Sequence, residues 1–536
     1  MYRKRAACAI HRRCATFKGV DDPGIPSPFL EPGTLVSESA ETQSALHRTV
    51  ARGTLLLVGA QFLTTPLSIV LNMIQTRRLG AEDFGTLFLA GNLTGLAFLF
   101  VDWGQSQSIA TATAREPGAA ARYLGTGLFL KVAASLLACG VLWILARLLH
   151  YSPMVQVALL LSSLQSGLGA LAANYSAVLR GRERMDKVSQ LGVIGALLNF
   201  ALVVPVLLAG GGLVEMLVVQ SCGTGLVLLL HVRRVRAVGV GLALPDRQTA
   251  MELLRAGSGF FLLAVVLALQ PALDSVILSK FAPAEVVGWH SAARRFIGFL
   301  IFPATTLYYA VYPTLARLVR SDFEAFLQLT RSAMRAVVIF GVPAGVGCAL
   351  YAPQVIRLFS GPSFSPAAPV LQVLSLFVFL VYFSIIFGSA FTALELQMKW
   401  ALIQLACVLV SAIGDPLLVP WCQERFGNGA IGISFTSALS ELLMVAGGIW
   451  LAPRGLIDRP VLLATGRCLL AGGAMAAVGR LAAPLYWPLT LALSLGAYAA
   501  ALSLSGGLGK SQIDLIVEVV RGRARRFTMA DEEETP

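Results

Sequence analysis

The sequence predicts an all-α, polytopic membrane protein of about fourteen transmembrane helices: two pseudo-symmetric six-helix halves and two further helices after them. Three observations lead there. The 536 residues are 56% hydrophobic and only 13% charged, with a mean hydropathy of +0.73, whereas a soluble chain carries about 25% charge. The apolar runs last about 20 residues, the length of a helical span and not of the ten-residue alternating strands of a membrane barrel. The basic residues also gather in alternate loops, which is the positive-inside pattern.

That loop pattern accounts for the formal net charge of +13. The bases do not share one soluble face, so no nucleic-acid partner is expected. The eight cysteines include no CxxC pair, and Cys139, Cys222, Cys348, Cys407 and Cys468 fall in or beside apolar runs. Neither a disulfide framework nor a metal site follows from them.

Residues 1–52 read as a disordered cytoplasmic tail with prolines at 23, 26, 28 and 32 and a basic cluster at 3–5 and 12–13. No apolar core of a secretory signal is present in it. Candidate spans follow at 54–76, 84–104, 123–146, 154–178, 188–209 and 213–232, giving an N-terminal half over 53–232. A cytoplasmic linker covers 233–256. The C-terminal half, 257–452, holds spans at 257–279, 288–312, 335–358, 367–393, 400–421 and 429–451. Two extra spans at 464–483 and 487–507 fill 453–508. The last stretch, 509–536, is an amphipathic segment with apolar Ile513, Ile516, Val519 and Val520 beside Asp514 and Glu518, ending in an acidic tail. With the N-terminus inside, the inner loops hold nineteen Lys and Arg residues against seven in the outer loops, so both termini are placed in the cytoplasm.

An internal repeat supports the two halves. Shifted by 203 residues, Arg77-Arg78-Leu79-Gly80-Ala81-Glu82-Asp83-Phe84-Gly85 overlays Lys280-Phe281-Ala282-Pro283-Ala284-Glu285-Val286-Val287-Gly288. Later, Leu198–Pro205 overlays Ile413–Pro420, each followed by glycines. The repeat is parallel, six spans in the same orientation twice.

These features resemble the multidrug/oligosaccharidyl-lipid/polysaccharide exporter superfamily, and within it the Wzx-like flippases of O-antigen and exopolysaccharide synthesis. The residues carrying the resemblance are the turn Leu79-Gly80-x-Glu82-x-Phe84-Gly85, the hairpin Asp274…Leu278…Gly288-Trp289…Ala292-x-Arg294, and the run Asn199…Pro205. It covers residues 53–507. One departure is Ala282-Pro283, where the family shows Leu-Gly. The resemblance implies a flippase of the bacterial inner membrane. It would move a polyprenyl-pyrophosphate-linked oligosaccharide from the cytoplasmic to the periplasmic leaflet, its halves rocking about a central cavity. Membrane lipids, a polysaccharide polymerase and export proteins are the implied partners. No cofactor is expected, and a Na+ or H+ gradient is the candidate coupling ion.

Asp274, Arg294 and Arg295 form the sharpest constellation. Asp274 and Arg294 each stand about six residues from the same turn, so by helical rise both lie about 9 Å below one end of a helix pair. A charge at mid-span costs about 2.5–3.5 kcal/mol, so such groups face a partner or a watery cavity. Two arginines against one acid leave a surplus cation suited to a diphosphate, since the guanidinium fork offers paired donors. The bland reading is a static ion pair between the seventh and eighth spans. On this count Asp274→Ala is expected to lower protein level and Arg294→Ala to spare it.

Lys131, in the third span, either adds to the cavity charge or snorkels to the inner surface. Arg77 and Arg78 stand at the outer mouth as release site or interfacial anchor. Asn72, Asn92 and Gln270 are candidate polar lining, although with Gln61, Gln75 and Gln404 they equally serve to join helices. Asp102 reads as a cap or surface group, and Glu441 as a buried acid. Gly427-Asn428-Gly429-Ala430-Ile431-Gly432 matches GxGxxG but opens a membrane span with no strand before it, so no dinucleotide site follows. Gly91…Gly95 and Gly341…Gly345 read as close helix contacts. Outer loops this short hold no catalytic site, so no enzyme is expected. The alternatives are an ion-coupled exporter of organic cations, which needs an acidic cavity, and a membrane-embedded polymerase or ligase, which needs a large outer loop.

Overall fold

The computed structural model describes residues 32–507. It divides into a unit over Met1–Thr54 and a unit over Leu55–Pro536; of the first, the described part is helical. The amphipathic segment expected at 509–536 lies outside the described residues, as does the stretch 1–31. Helix is described from Pro32 onward.

Every element among the described residues is a helix. The first, Pro32–Asp102, is broken at Gly80, whose φ of 77° and ψ of 179° lie outside helical space. We number its arms α1 (32–79) and α2 (81–102). Then follow α3 Gln105–Arg115, α4 Ala120–Leu148, α5 Pro153–Gly181, α6 Met185–Leu208, α7 Leu213–Ala237, α8 Arg247–Phe281 and α9 Ala284–Ser321. The rest are α10 Phe323–Ser360, α11 Ala367–Ala393, α12 Gln397–Phe426, α13 Ala430–Leu451, α14 Arg459–Leu481 and α15 Trp487–Leu504. Among the described residues, thirteen helical runs are long and apolar enough to cross a membrane. The first of them turns back at Gly80, so it contributes two passes and the fourteen expected spans are present. The chain therefore alternates between two ends, which we call the Gly80 end and the Gly104 end.

The two half-repeats turn their corner by different chemistry. Gly80 breaks the first by adopting the positive φ that side-chain-bearing residues avoid. In the second, Pro283 (φ −59°, ψ 156°) stands at the N-cap of α9 after an extended Ala282. Proline has no N–H to give the preceding turn, so the helix ends there too. The departure from Leu-Gly preserves the corner.

Several helices outrun their predicted spans. The linker expected at 233–256 is short, because α7 continues to Ala237 and α8 starts at Arg247, where Asp246 caps it by accepting from the Thr249 backbone N–H at 2.9 Å. Helices α9 and α10 have 38 residues each. At 1.5 Å per residue that is about 57 Å, against a hydrocarbon core of about 30 Å. The excess lies at the Gly104 end, around the Asp322 cap and the basic residues Arg317, Arg320, Arg331 and Arg335.

The apolar core is not one body. One cluster joins α9, α10, α11 and parts of α12 and α13 and takes in Phe84 of α2. In the N-terminal half there are two. One, at the Gly80 end, is built on Leu71, Leu142, Leu159 and Met216, and the other, at the Gly104 end, on Ile109, Leu124, Leu179 and Val235. Helices α14 and α15 join α10 through Val342, Cys468, Met475 and Tyr498. Gly341 and Gly345 sit against Tyr382 and Ser375 of α11, with room at 3.2 and 3.0 Å for no ordinary Cβ, a close helix contact as expected. Gly91 and Gly95 face open space instead, so that pair is not a helix contact.

Candidate functional site

The first charged cluster lies inside the C-terminal half. Asp274 of α8 is 1% exposed, and its Oδ2 stands 3.3 Å from Nη2 of Arg294 on α9. The equal depth read from the turn is thus met. Arg294 also donates to Ser437 Oγ on α13 at 3.2 Å, and its guanidinium lies 4.8 Å from the Phe377 ring on α11. A cation over an aromatic face is favourable where water is scarce. Arg294 therefore points into its own half, bound on three sides.

A residue the sequence reading did not single out completes this cluster. Asp415 of α12, fully buried, lies within hydrogen-bonding reach of Asp274. Its Oδ1 accepts from the Thr436 hydroxyl of α13. Among the described residues Asp274 Oδ1, Asp415 Oδ2 and Glu441 Oε1 are buried without a hydrogen-bond partner, and Arg294 lies within electrostatic reach of both Asp415 and Glu441. The signal was present as a carboxylate between Gly414 and Pro416 in an apolar run. The charge count is thereby reversed: in this half one arginine faces three carboxyls, and no surplus cation remains beside Asp274.

Arg295, one residue on, takes the opposite side of α9. It donates to Asn72 Oδ1 on α1, and its guanidinium lies 5.1 Å from the Phe84 ring on α2. Among the described residues no carboxylate pairs with it. It lines a crevice of about 20 Å³ with Thr76, Phe296 and Phe359, room for about one water. Arg294 and Arg295 are neighbours in sequence on opposite sides of one helix, so the expected trio divides. Arg294 belongs to the acids, and Arg295 stands alone at the seam between the halves.

Lys131 of α4 is fully buried and bound within the N-terminal half. Its Nζ lies 2.6 Å from Asp102 Oδ1 and donates to Ser106 Oγ and Ala170 O, both at 2.9 Å. It does not snorkel, and Asp102 is its counter-ion, not a surface cap. Beside it Asn174, fully buried, leaves both amide atoms unpartnered. This layer separates the two apolar clusters of that half.

The other expected residues fall along the seam or inside one half. Arg77 is exposed and donates to Leu358 O at the end of α10; Arg78 is exposed. Asn92 donates to Ser275 Oγ at 2.6 Å, joining α2 to α8, and Gln270 donates to Ser411 Oγ at 3.2 Å, joining α8 to α12. Asn92 and Gln270 thus act as helix joints.

Three comparisons bear on this arrangement. A family model described as "Polysaccharide biosynthesis protein" matches residues 50–319. The probable flippase AglR of Haloferax volcanii is 24% identical over 440 residues, 80% of this chain and 89% of that protein. Among solved structures, the lipid II flippase MurJ in an inward closed conformation superposes with a TM-score of 0.68 at 13% identity, covering 86% of this chain and all of that one. An inward-facing multidrug resistance MATE family transporter of the MOP superfamily gives 0.60 at 17% identity, over 72% of this chain and 93% of that one. The structural likenesses establish a shared fold.

Proposed function

This chain belongs to the polysaccharide biosynthesis protein family, and from that premise we propose that it is a flippase for a polyprenyl-pyrophosphate-linked oligosaccharide. It carries its substrate from the cytoplasmic to the periplasmic leaflet of a bacterial inner membrane, with both termini inside and the Gly80 end outside. The observation that carries the reading is Arg295: a half-buried guanidinium at the seam between two six-helix halves, with no carboxylate paired to it among the described residues. Parting the halves exposes to the substrate path a fork of donors that fits a diphosphate oxygen pair. The polyprenyl tail stays in lipid while the head group crosses. The resemblance to AglR and the family match support the substrate class. Polymerase and export proteins take up the product.

Energy enters at the other cluster. Asp274 and Asp415 face each other with unpartnered oxygens, and two carboxylates in such contact share either one hydrogen or one small cation between them. A Na+ or H+ gradient acting there is the proposed coupling. Any change in that shared ion alters how α8 and α12 attract, and α8 is the helix that leads from the linker to the seam.

An exporter of organic cations would carry acids across the seam, whereas the charged groups that donate across it are the cations Arg77, Lys280 and Arg295. The test is a strain lacking the protein. It should accumulate lipid-linked oligosaccharide in the inner leaflet and lose surface polymer, and the wild-type chain should restore both. Intact polymer together with new sensitivity to cationic dyes would replace this reading with the exporter.

A further inference from the structure

The seam at the Gly80 end is symmetric in a way the sequence repeat alone does not show. Gly85 of α2 and Gly288 of α9 are equivalent at the 203-residue shift, and each meets the backbone of the other half. A Cβ on Gly85 would fall on the Ala284 carbonyl oxygen and stand 2.7 Å from the Gly288 nitrogen, while one on Gly288 would fall on the Ala81 carbonyl oxygen. Ala81 and Ala284 are themselves equivalent at that shift.

The same reciprocity recurs around this contact. Arg77 donates to Leu358 O at the end of α10, and its equivalent Lys280 donates to Leu149 O at the end of α4. Both cations thus sit on helix C-termini, where the aligned peptide dipoles favour positive charge. The Thr76 hydroxyl, which has nearer acceptors in its own helix, stands 3.3 Å from Phe359 O, and its equivalent Ser279 shares a 2.9 Å hydrogen bond with Tyr151. Asn92 donates to Ser275, and its equivalent Arg295 donates to Asn72, the equivalent of Ser275.

We propose that these four reciprocal pairs form a two-fold clasp that closes the outer end, and that export requires all of it to part together. This deepens the flippase reading and rests on it. In a self-complementary interface each patch meets its own counterpart, so one rigid rotation breaks or makes every pair at once. The glycines set the distance at which the polar pairs engage, because the helices cannot approach so closely with any side chain between them. Two positions break the symmetry: Thr76 faces a backbone carbonyl where Ser279 faces the Tyr151 hydroxyl, and Asn92 in one half is answered by Arg295 in the other. The clasp thereby holds the charged group intended for substrate until it opens.

The experiment introduces Ala292→Cys, a buried position in the Arg295 crevice, and follows its labelling by a membrane-impermeant maleimide added outside whole cells. Native-cysteine labelling of the parent protein is subtracted. Gly85→Val and Gly288→Val should each raise the labelling rate about tenfold or more, since overpacking of this kind penalises the closed state alone. Arg77→Ala and Lys280→Ala should each raise it less, about two- to fivefold. If a valine variant is not inserted, Gly85→Ala and Gly288→Ala decide, because even one methyl overlaps a carbonyl. Unchanged labelling at normal membrane abundance overturns the clasp, as does a rise for one glycine but not its equivalent, or a rise confined to inside-out vesicles. Surface polymer is measured in the same cells. Raised labelling with polymer unaffected keeps the clasp and removes the flippase reading, and the converse removes the clasp and keeps the flippase.

Discussion

The two halves share a topology but bury charge in opposite ways. In the N-terminal half, Lys131 meets one acid, Asp102, whose side chain keeps 35% of its exposure. That balanced pair belongs to a polar layer between two separate apolar clusters. In the C-terminal half the apolar core is continuous, and within it a single arginine is set against Asp274, Asp415 and Glu441. A balanced pair within reach of water needs nothing more to be stable. An unbalanced cluster in an apolar core needs a further cation or hydrogen, and a site with that need is one an ion gradient can act on. The unbalanced cluster, where the proposed coupling would act, thus lies in the C-terminal half, while Lys131 sits in a balanced pair within its own half.

Five substitutions test that contrast, and, Asp274→Asn apart, the expected effects on stability decrease in order. Arg294→Ala should be the most damaging, because it removes the one cation among three buried acids. Breaking a buried pair from one side costs about 3–5 kcal/mol, and membrane-inserted protein should fall sharply. Asp274→Asn should spare protein level while abolishing the dependence of export on the ion gradient. This reverses the expectation drawn from two arginines and one acid. If Arg294→Ala accumulates normally, the three carboxyls are not held by it and the contrast between the halves fails.

Lys131→Met should cost less, about 1–3 kcal/mol, the penalty of stripping a partner from a polar group that water can still reach. Thermal unfolding in detergent should show Lys131→Met/Asp102→Ala to be more stable than Lys131→Met alone. A double variant no better than the single one would mean that Asp102 has other work. Gln270→Ala removes one hydrogen bond between α8 and α12 and should cost about 0.5–1.5 kcal/mol, without loss of export. An export defect there would draw Gln270 into the coupling cluster.

Arg295→Ala should change stability least, since no carboxylate is left unpaired, yet it should abolish export. Arg295→Lys should restore export in part, keeping the charge but losing the two-donor fork. Surface polymer normalised to inserted protein reads this directly. Normal export by Arg295→Ala at normal abundance would reduce the seam arginine to a helix joint like Asn92.

The number of spans and the doubling of the fold were legible in the chain alone. Each follows from local properties: the length of an apolar run, and a motif returning after 203 residues. It also placed Asp274 and Arg294 at one depth, because helical rise from a shared turn is a local quantity. What it left open was direction around each helix and the company each group keeps. Arg294 and Arg295 are adjacent in the chain, and only packing sends one toward the carboxyls of α8 and α12 and the other toward Asn72 in the opposite half. Asp415 stands 141 residues after Asp274, and Lys131 is 29 residues from Asp102; no periodicity links either pair. Those partnerships, and the closeness of Gly85 to Gly288, were decided by the tertiary structure. Helix contacts in a membrane depend on which small residues let backbones meet, and that is a property of two surfaces together.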